Sequence, residues 1–125
     1  MAEPRSILVV DDNEDARDVY ASYLGYAGYD VAQAENGEEA LSCVQRHRPD
    51  LIVMDLAMPR LDGWEATRLI KSNPRTSSIR ILVLTGQVTE DDERRARAAG
   101  ADEFHAKPLL PHQMLVVVRA MLGDD

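Results

Sequence analysis

Apolar residues along the chain form short runs that alternate with segments of helical periodicity. The runs at 7–10, 29–34, 51–54, 79–84 and 103–106 have the length and residue types of β-strands. Between them, apolar residues recur at steps of three and four, which places them on one face of a helix. These helical stripes are Ala16, Val19, Tyr20, Tyr23, Leu24 and Ala27; Gly37, Ala40, Leu41 and Val44; Ala66, Leu69 and Ile70; and Leu110, Met114, Val117, Val118 and Met121.

Strand and helix alternating five times predict an α/β fold with a parallel sheet. The most apolar runs, 7–10, 51–54 and 81–84, are expected to be central strands covered on both faces. The runs 29–34 and 102–106 contain polar residues and are expected to be edge strands. Together these features predict a doubly wound, flavodoxin-like (βα)5 sheet with the strand order 2-1-3-4-5.

Two helical segments depart from a simple amphipathic pattern: one has a very small apolar face, and the other has apolar residues outside its apolar stripe. Segment 89–99, "TEDDERRARAA", begins with acids and continues with arginines, which suits a helix dipole, but its apolar face consists only of alanines. We therefore expect it to pack weakly and to move. In the last helical segment, Leu115, Val116 and Leu122 lie outside the apolar stripe and are expected to form a dimer or partner patch.

Length and charge narrow the possible partners. The 125 residues suit a single domain, 1–125, and the formal net charge of −8 argues against nucleic acid and anionic membranes as partners. Cys43 is the only cysteine, so no internal disulfide and no cysteine cluster for zinc can form. The N-terminal segment lacks the apolar length of a signal peptide, and the expected localisation is cytoplasmic.

Carboxylates follow two of the apolar runs. Asp11 and Asp12 end the first predicted strand and Asp55 ends the third, and these strands are neighbours in the predicted order. Three adjacent carboxylates repel one another unless a cation lies among them, and oxygen ligands of this kind suit Mg²⁺. The alternative is that these aspartates only cap helices or form turns.

A hydroxyl and an ammonium group are expected at the same edge of the sheet. Thr85 follows the run "RILVL", and Lys107 follows "DEFHA". Beside the carboxylates they would make a pocket for a tetrahedral anion such as a phosphoryl group. Asp55 stands apart from the acidic pair, which makes it the best candidate for a nucleophile that forms an aspartyl-phosphate. Alone, Lys107 would be a surface lysine and Thr85 a cap.

Four motifs in register resemble the receiver domain of bacterial two-component response regulators, in its stand-alone, chemotaxis-regulator-like form. They are "ILVVDDNED", "LIVMDLAMPRLDGWE", "ILVLTG" and "GADEFHAKPL", and the resemblance spans residues 5–122. It implies that Asp55 is the phosphoacceptor. It also implies that Asp12 and Asp55 bind Mg²⁺ through their side chains, Ala57 through its carbonyl, and Asp11 directly or through water.

The resemblance further assigns the phosphoryl contacts and a switch. Thr85 and Lys107 would bind phosphoryl oxygens, together with the backbone N–H groups of Ala57 and Gly86. Phosphorylation would draw Thr85 toward the phosphate and turn Phe104 inward, which repacks the surface of the fourth helix, fifth strand and fifth helix. The alternative for Phe104 is plain core packing.

The implied partners are a sensor histidine kinase or a histidine phosphotransfer protein, and a downstream effector protein. The chain is expected to be a monomer or a weak homodimer, and not an enzyme beyond its own phosphorylation and dephosphorylation. Gly86 replaces the family's usual alanine, and Phe104 its common tyrosine. Ala57 and Gln87 occupy positions that influence phosphoryl lifetime in this family. Trp64 is expected to report Mg²⁺ binding or to pack at a helix start.

Three other functions compete with a phosphorylation switch. A binding module of the same fold that works without phosphate is disfavoured by the intact set of acids, threonine and lysine. A metal-dependent phosphatase would carry a second aspartate at position 57, where this chain has Ala57. A flavodoxin-like cofactor binder remains possible from fold alone, although no glycine-rich loop follows the first strand.

Overall fold

The computed structural model describes residues 4–56, 63–86 and 89–124. Strands and helices alternate throughout: β1 Ser6–Val10, α1 Glu14–Tyr26, β2 Asp30–Ala34, α2 Gly37–Arg46, β3 Leu51–Asp55, α3 Gly63–Ser72, β4 Arg80–Thr85, α4 Glu90–Ala99, β5 Glu103–Ala106 and α5 Pro111–Leu122. Within these ranges no helix is both long and apolar enough to cross a bilayer.

The five strands form one parallel sheet in the order β2-β1-β3-β4-β5. The predicted fold class and strand order are therefore confirmed, and β2 and β5 are the edges. The central strands are almost completely buried, because helices cover both faces of the sheet. The register pairs Asp55 of β3 with Leu84 of β4. Thr85, the residue after Leu84, therefore lies at the same end of the sheet as Asp55.

Alternate residues of each strand contribute to two separate cores. One core, which we call the α1/α5 face, combines strand residues such as Val9 and Val53 with side chains of α1 and α5. The other, the α2/α3/α4 face, combines strand residues such as Val10 and Val83 with side chains of the other three helices. The side-chain period of two in a strand produces this division.

The apolar face of helix α1 is wider than the part of it that the core covers. Asn13 caps the helix by accepting a hydrogen bond from the N–H of Ala16 at 2.9 Å. Tyr20 and Leu24 are buried as predicted, but Val19 is 51% exposed and Tyr23 is 40% exposed. The predicted apolar stripe is therefore present on the helix, but only part of it is buried. A helix on a sheet buries a stripe of limited width, and the six residues span more than that.

Helix α5 also differs from its prediction at one residue. Leu122 is buried in the α1/α5 face and does not belong to an exposed patch. Leu115 is half-buried, and Val116 is 66% exposed, as expected of residues outside the stripe. The helix thus buries Met114, Val118 and Leu122, which follow one another at four-residue steps.

Helix α4 is anchored weakly, as the sequence predicted. Thr89 accepts a hydrogen bond from the N–H of Asp92 at 3.0 Å and so caps its start. Gly100 ends the helix at φ 100°, a left-handed conformation that glycine adopts without strain. Ala96 is the only buried residue of the helix. Because an alanine buries little area, α4 gains little packing free energy from the sheet.

Candidate functional site

Three carboxylates lie together at the carboxyl ends of β1 and β3. Asp11 directly follows β1, where its N–H bonds to the carbonyl of Ala34 at 3.1 Å, and Asp55 is the last residue of β3. Both are buried, with 2% and 5% of their surface exposed, while Asp12 is exposed. Carboxylate oxygens of the three residues lie within 4.8 Å of one another. The predicted convergence of the acids is thus present.

Lys107 lies against two of these acids. Its Nζ is 3.3 Å from Oδ2 of Asp11 and 3.4 Å from Oδ2 of Asp55. The backbone holds it there, because the N–H of Lys107 bonds to the carbonyl of Thr85 at 2.7 Å and so continues the β4–β5 ladder. Lys107 precedes Pro108 through a cis peptide bond.

The acids outweigh the lysine in charge. Burial lowers the pKa of Lys107, but the carboxylates of Asp55 and Asp11 raise it more strongly, so that its pKa lies above the usual value and the ammonium stays charged. Three carboxylates and one ammonium leave two negative charges in excess. An all-oxygen donor set with this excess fits a hard divalent cation such as Mg²⁺.

The alternative interpretation, that these aspartates only cap helices or form turns, accounts for part of the observed contacts. Asp11 Oδ1 accepts a hydrogen bond from the N–H of Asn13 at 2.9 Å and shapes the turn into α1. The cap of α1 is nevertheless Asn13, and Asp55 lies within a strand. Turn formation therefore explains one oxygen of Asp11, and leaves the grouping of the three carboxylates unexplained.

Thr85 and Phe104 lie on the opposite face of the sheet from the charged residues. Phe104 is half-buried against the core of the α2/α3/α4 face, which also contains Val83, its partner in the β4–β5 register. Thr85 follows Val83 by two positions, so the strand period points its side chain to the same face. By the same period, Asp55 and Lys107 belong to the α1/α5 face.

Gly63, at the start of α3, lies in direct contact with the end of β3. A Cβ on this residue would lie 2.3 Å from the carbonyl oxygen of Asp55 and 2.8 Å from Cα of Leu56. The N–H of Gly63 also donates to the carbonyl of Leu56 at 3.2 Å. Only glycine allows this approach, and so Gly63 fixes where the Asp55 backbone lies.

Two residues of α1 support the site and were not predicted to belong to it. The hydroxyl of Tyr20 donates to the carbonyl of Leu109 at 2.7 Å, which ties down the loop after Lys107. Burial raises the pKa of Tyr20 and keeps this donor protonated. Arg17 donates from Nη1 to the carbonyl of Asp11 at 2.9 Å. Tyr20 was predicted only to lie on the apolar face of its helix, and no local motif marks either contact.

The resemblance also implied backbone contacts from Ala57 and Gly86 to the phosphoryl group. Ala57, the proposed carbonyl ligand and N–H donor, lies outside the described residues, as does Gln87. Gly86 is an exposed bend after β4, and among the residues that the structure describes no atom lies within 4 Å of where its Cβ would be. The described residues therefore leave room for a side chain at position 86.

The fold and the site define a class: a doubly wound α/β domain with an acidic pocket at the carboxyl ends of its central strands. The family model of the response regulator receiver domain matches residues 7–119. The chain belongs to this family, and the predicted resemblance is confirmed.

Trp64, in contrast to the site residues, packs on the α2/α3/α4 core, with the guanidinium carbon of Arg95 lying 4.5 Å from its ring centroid.

Individual relatives agree with the family. The polar-differentiation response regulator DivK of Brucella anthropi is 31% identical over 121 residues, which cover 97% of this chain and 98% of DivK. The chemotaxis protein CheY4 of Vibrio cholerae has a TM-score of 0.89 at 30% identity, with 94% of this chain and 98% of that one covered. A response regulator structure from Chloroflexus aurantiacus has a TM-score of 0.89 at 32% identity, with 96% and 98% covered.

Proposed function

We propose that this receiver domain accepts a phosphoryl group on Asp55 from a phosphohistidine of a sensor histidine kinase or a histidine phosphotransfer protein. A carboxylate oxygen of Asp55 attacks the phosphorus in line. The O–P bond of an acyl phosphate forms as the N–P bond breaks, and the departing imidazole takes up a proton from solvent. The protein would not turn over a foreign substrate, and would catalyse only its own phosphorylation and dephosphorylation.

The observation that carries this proposal is the position of the Asp55 carboxylate beside the Lys107 ammonium. Asp55 is 5% exposed, and its Oδ2 lies 3.4 Å from Nζ of Lys107. Phosphoryl transfer requires a positioned nucleophile and fixed positive charge near the phosphoryl oxygens, and demands little else of the protein. Lys107 supplies that charge without any movement of the backbone.

Magnesium is the proposed cofactor. Asp11, Asp12 and Asp55 would hold the ion by carboxylate oxygens, and the carbonyl of Ala57 is the further ligand expected from the family. When bound, Mg²⁺ neutralises the excess acid charge and that of the incoming phosphoryl oxygens. Asp12 is exposed and can exchange between water and the ion without leaving a buried charge unpaired.

The proposed output is a change at α4 and β5. The Thr85 hydroxyl and the N–H groups of Gly86 and Ala57 would bind the phosphoryl oxygens. Movement of Thr85 would vacate space for the half-buried ring of Phe104. Since α4 buries only Ala96, its packing offers little resistance to this change. A downstream effector protein would then bind the altered surface.

Intact-protein mass spectrometry after incubation with acetyl phosphate tests the proposal. We expect a gain of about 80 Da that requires Mg²⁺, corresponding to one phosphoryl group. Asp55→Asn should show no gain. The matched control is Asp15→Asn, an exposed acid in the first turn of α1, which should gain the full mass. Equal uptake by Asp55→Asn and wild type would refute the acceptor assignment. No uptake by the wild type from any donor would favour the phosphate-independent binding module.

A further inference from the structure

A cavity of about 510 Å³ lies between the C-terminal end of α2 and the loop that joins α3 to β4. Its lining precedes β3 and β4 in the chain, so the cavity is at the end of the sheet opposite the acidic site. The polar residues that line it are Gln45, Arg46, Arg48, Asn73, Arg75 and Thr76. We call it the arginine cavity. The proposed phosphoryl transfer uses none of these side chains, so their grouping needs a separate explanation.

The arginine cavity is basic in a chain that is acidic as a whole. Arg46, Arg48 and Arg75 line it without an acidic residue among the described lining, although the chain has a net charge of −8. Within the part of the chain that the structure describes, none of these three guanidinium groups forms an ion pair. Asp50, the acid nearest to Arg48 in sequence, accepts the N–H of Ser6 at 2.8 Å instead.

Arginines elsewhere in the chain have acidic neighbours. A second cavity, of about 420 Å³, is lined by Arg80 together with Asp102 and Glu103. On α4, Nη2 of Arg97 lies 3.0 Å from a carboxylate oxygen of Glu93. In the arginine cavity no such acid accompanies the three guanidinium groups among the described residues, which leaves their charge available to a ligand.

Hydrogen bonds hold the walls of the arginine cavity together. Arg48 donates from Nη1 to the carbonyl of Arg75 at 3.0 Å, which joins the segment before β3 to the loop before β4. The hydroxyl of Thr76 donates to the carbonyl of Ile70 at 2.6 Å and so fixes this loop on α3. Asn73 Oδ1 accepts the N–H of Arg75 at 3.0 Å. The loop is therefore positioned through its backbone, and the Arg75 guanidinium is not needed for that purpose.

Helix ends account for only part of the positive charge. Helices α2 and α3 both end beside the cavity, and arginines near a helix C-terminus offset its dipole. Each helix end is equivalent to about −0.5 elementary charge, so the two ends together offset about one of the three positive charges. An excess of about two positive charges is left within the cavity.

We infer that the arginine cavity binds a compact anion with at least two linked phosphoryl groups, either a free polyphosphate or the diphosphate of a nucleotide. A guanidinium presents paired N–H donors that match two phosphate oxygens at once. Three such groups around one cavity can therefore engage more than one phosphoryl group. The cavity volume lies within the range of small-molecule sites, about 300–1,000 Å³.

The charge distribution favours a compact anion over an acidic protein or a nucleic acid. A macromolecule of that kind would extend beyond the cavity onto the surface of a chain with a net charge of −8. A diphosphate keeps all its charges inside the cavity, where salt of about 0.15 M screens acids that lie more than about 8 Å away. The inference does not rest on the proposed phosphoryl transfer, because Asp55 is at the other end of β3.

Titration of the isotope-labelled full chain with inorganic diphosphate, followed by NMR in buffer without Mg²⁺, tests the inference. Without Mg²⁺, the acidic site keeps its excess negative charge and repels the probe. The amide signals of residues 45–48 and 73–76 should shift and reach saturation, with a Kd of about 1 mM or lower. The signals of Asp11, Asp12 and Lys107 should not shift.

Arg75→Gln is the most informative variant, because Arg75 makes its hydrogen bonds in the described chain through its backbone and should not be needed for folding. It should weaken diphosphate binding about tenfold, and the double variant with Arg46→Gln should no longer reach saturation. Arg80→Gln is the matched control, since it removes the same charge from an exposed arginine outside the arginine cavity. It should leave the Kd within about twofold of the wild type.

A parallel titration with ADP distinguishes the two sources of phosphoryl groups. Tighter binding of ADP than of inorganic diphosphate would identify a nucleotide, and equal or weaker binding would identify a site for the phosphoryl groups alone. Three results would overturn the inference. They are the absence of saturable shifts in 45–48 and 73–76 with both probes; equal weakening by Arg75→Gln and Arg80→Gln, as expected of general attraction; and binding of a polyglutamate peptide at these amides without binding of diphosphate.

Discussion

The two faces of the sheet differ in how many contacts fix the side chains that lie on them. On the α1/α5 face, Asp11, Asp55 and Lys107 are held by ion pairs of 3.3 and 3.4 Å and by backbone ladders. On the α2/α3/α4 face, Phe104 is half-buried and α4 buries only Ala96. The charged groups thus have several close contacts, and the groups near α4 have few.

This difference suggests how a small chemical change can have a large structural effect. Charged groups aligned for phosphoryl transfer have to be held in place, since misplacement by about 1 Å is costly in rate. A region that changes shape has to be only weakly stable in either state. If the proposed function holds, the sheet separates the two requirements, and Thr85 directly follows Leu84, the register partner of Asp55.

Gly63→Ala should have the largest effect, because Gly63 begins α3, on the α2/α3/α4 face, and contacts the end of β3. The new Cβ would meet the carbonyl oxygen of Asp55, a backbone atom that cannot swing aside. We expect a loss of about 3 kcal/mol in the free energy of unfolding, measured in urea, and reduced uptake of phosphoryl groups. Gly25→Ala is the control, since its Cβ would have open space within α1, and it should gain roughly 0.5 kcal/mol.

Lys107→Met should act on the charged face alone. Removing the ammonium takes one ion-pair partner from each of two buried carboxylates, and Lys107 is itself partly exposed, so we expect a loss of about 1.5 kcal/mol in the absence of Mg²⁺. Added Mg²⁺ should reduce this loss, because the variant retains the carboxylates and no longer has a competing cation. Urea unfolding with and without Mg²⁺ measures both values.

Lys71→Met provides the comparison for that experiment. Lys71 forms an ion pair with Asp102 at 2.8 Å, and the same carboxylate accepts the N–H of Ile81 at 2.8 Å, away from the acidic site. The stability loss of this variant should be the same with and without Mg²⁺. If Mg²⁺ offset both losses equally, the proposed metal site would not be the source of the effect.

Arg95→Ala should have the smallest effect, and it acts only on the α2/α3/α4 face. It removes the cation from the ring of Trp64, the only tryptophan, so its fluorescence should change while stability falls by only about 0.5 kcal/mol. Arg94→Ala, a neighbouring arginine paired with Asp91, should leave the emission unchanged. Emission changes of equal size in both variants would mean that Arg95 does not contact the ring in solution.

The strand order and the convergence of the acids were predictable because both follow from simple periodicities. Apolar runs separated by helical segments define the doubly wound sheet, and its strand ends define where Asp11, Asp12, Asp55 and Lys107 meet. The strand bounds differ from prediction by one residue at five of the ten ends, since apolar character does not mark the last hydrogen bond of a ladder.

The contacts around the site were not predictable, because they depend on tertiary geometry. Nothing in the sequence indicates that Tyr20 reaches the carbonyl of Leu109, or that Gly63 lies against Asp55. The exposure of Val19 and Tyr23 was missed for a related reason. Periodicity gives the direction of an apolar stripe, and only the neighbouring helix determines how much of it is covered.

Hydrogen exchange with and without beryllofluoride, a stable analogue of the bound phosphoryl group, tests the central claim most directly. In the presence of Mg²⁺, the analogue should change exchange rates in residues 90–106, which form α4 and β5. The amides of β1 and β3 should be unaffected. A protein that binds the analogue with no change in 90–106, or with equal changes in the central strands, would contradict the separation of a fixed charged face from a movable one.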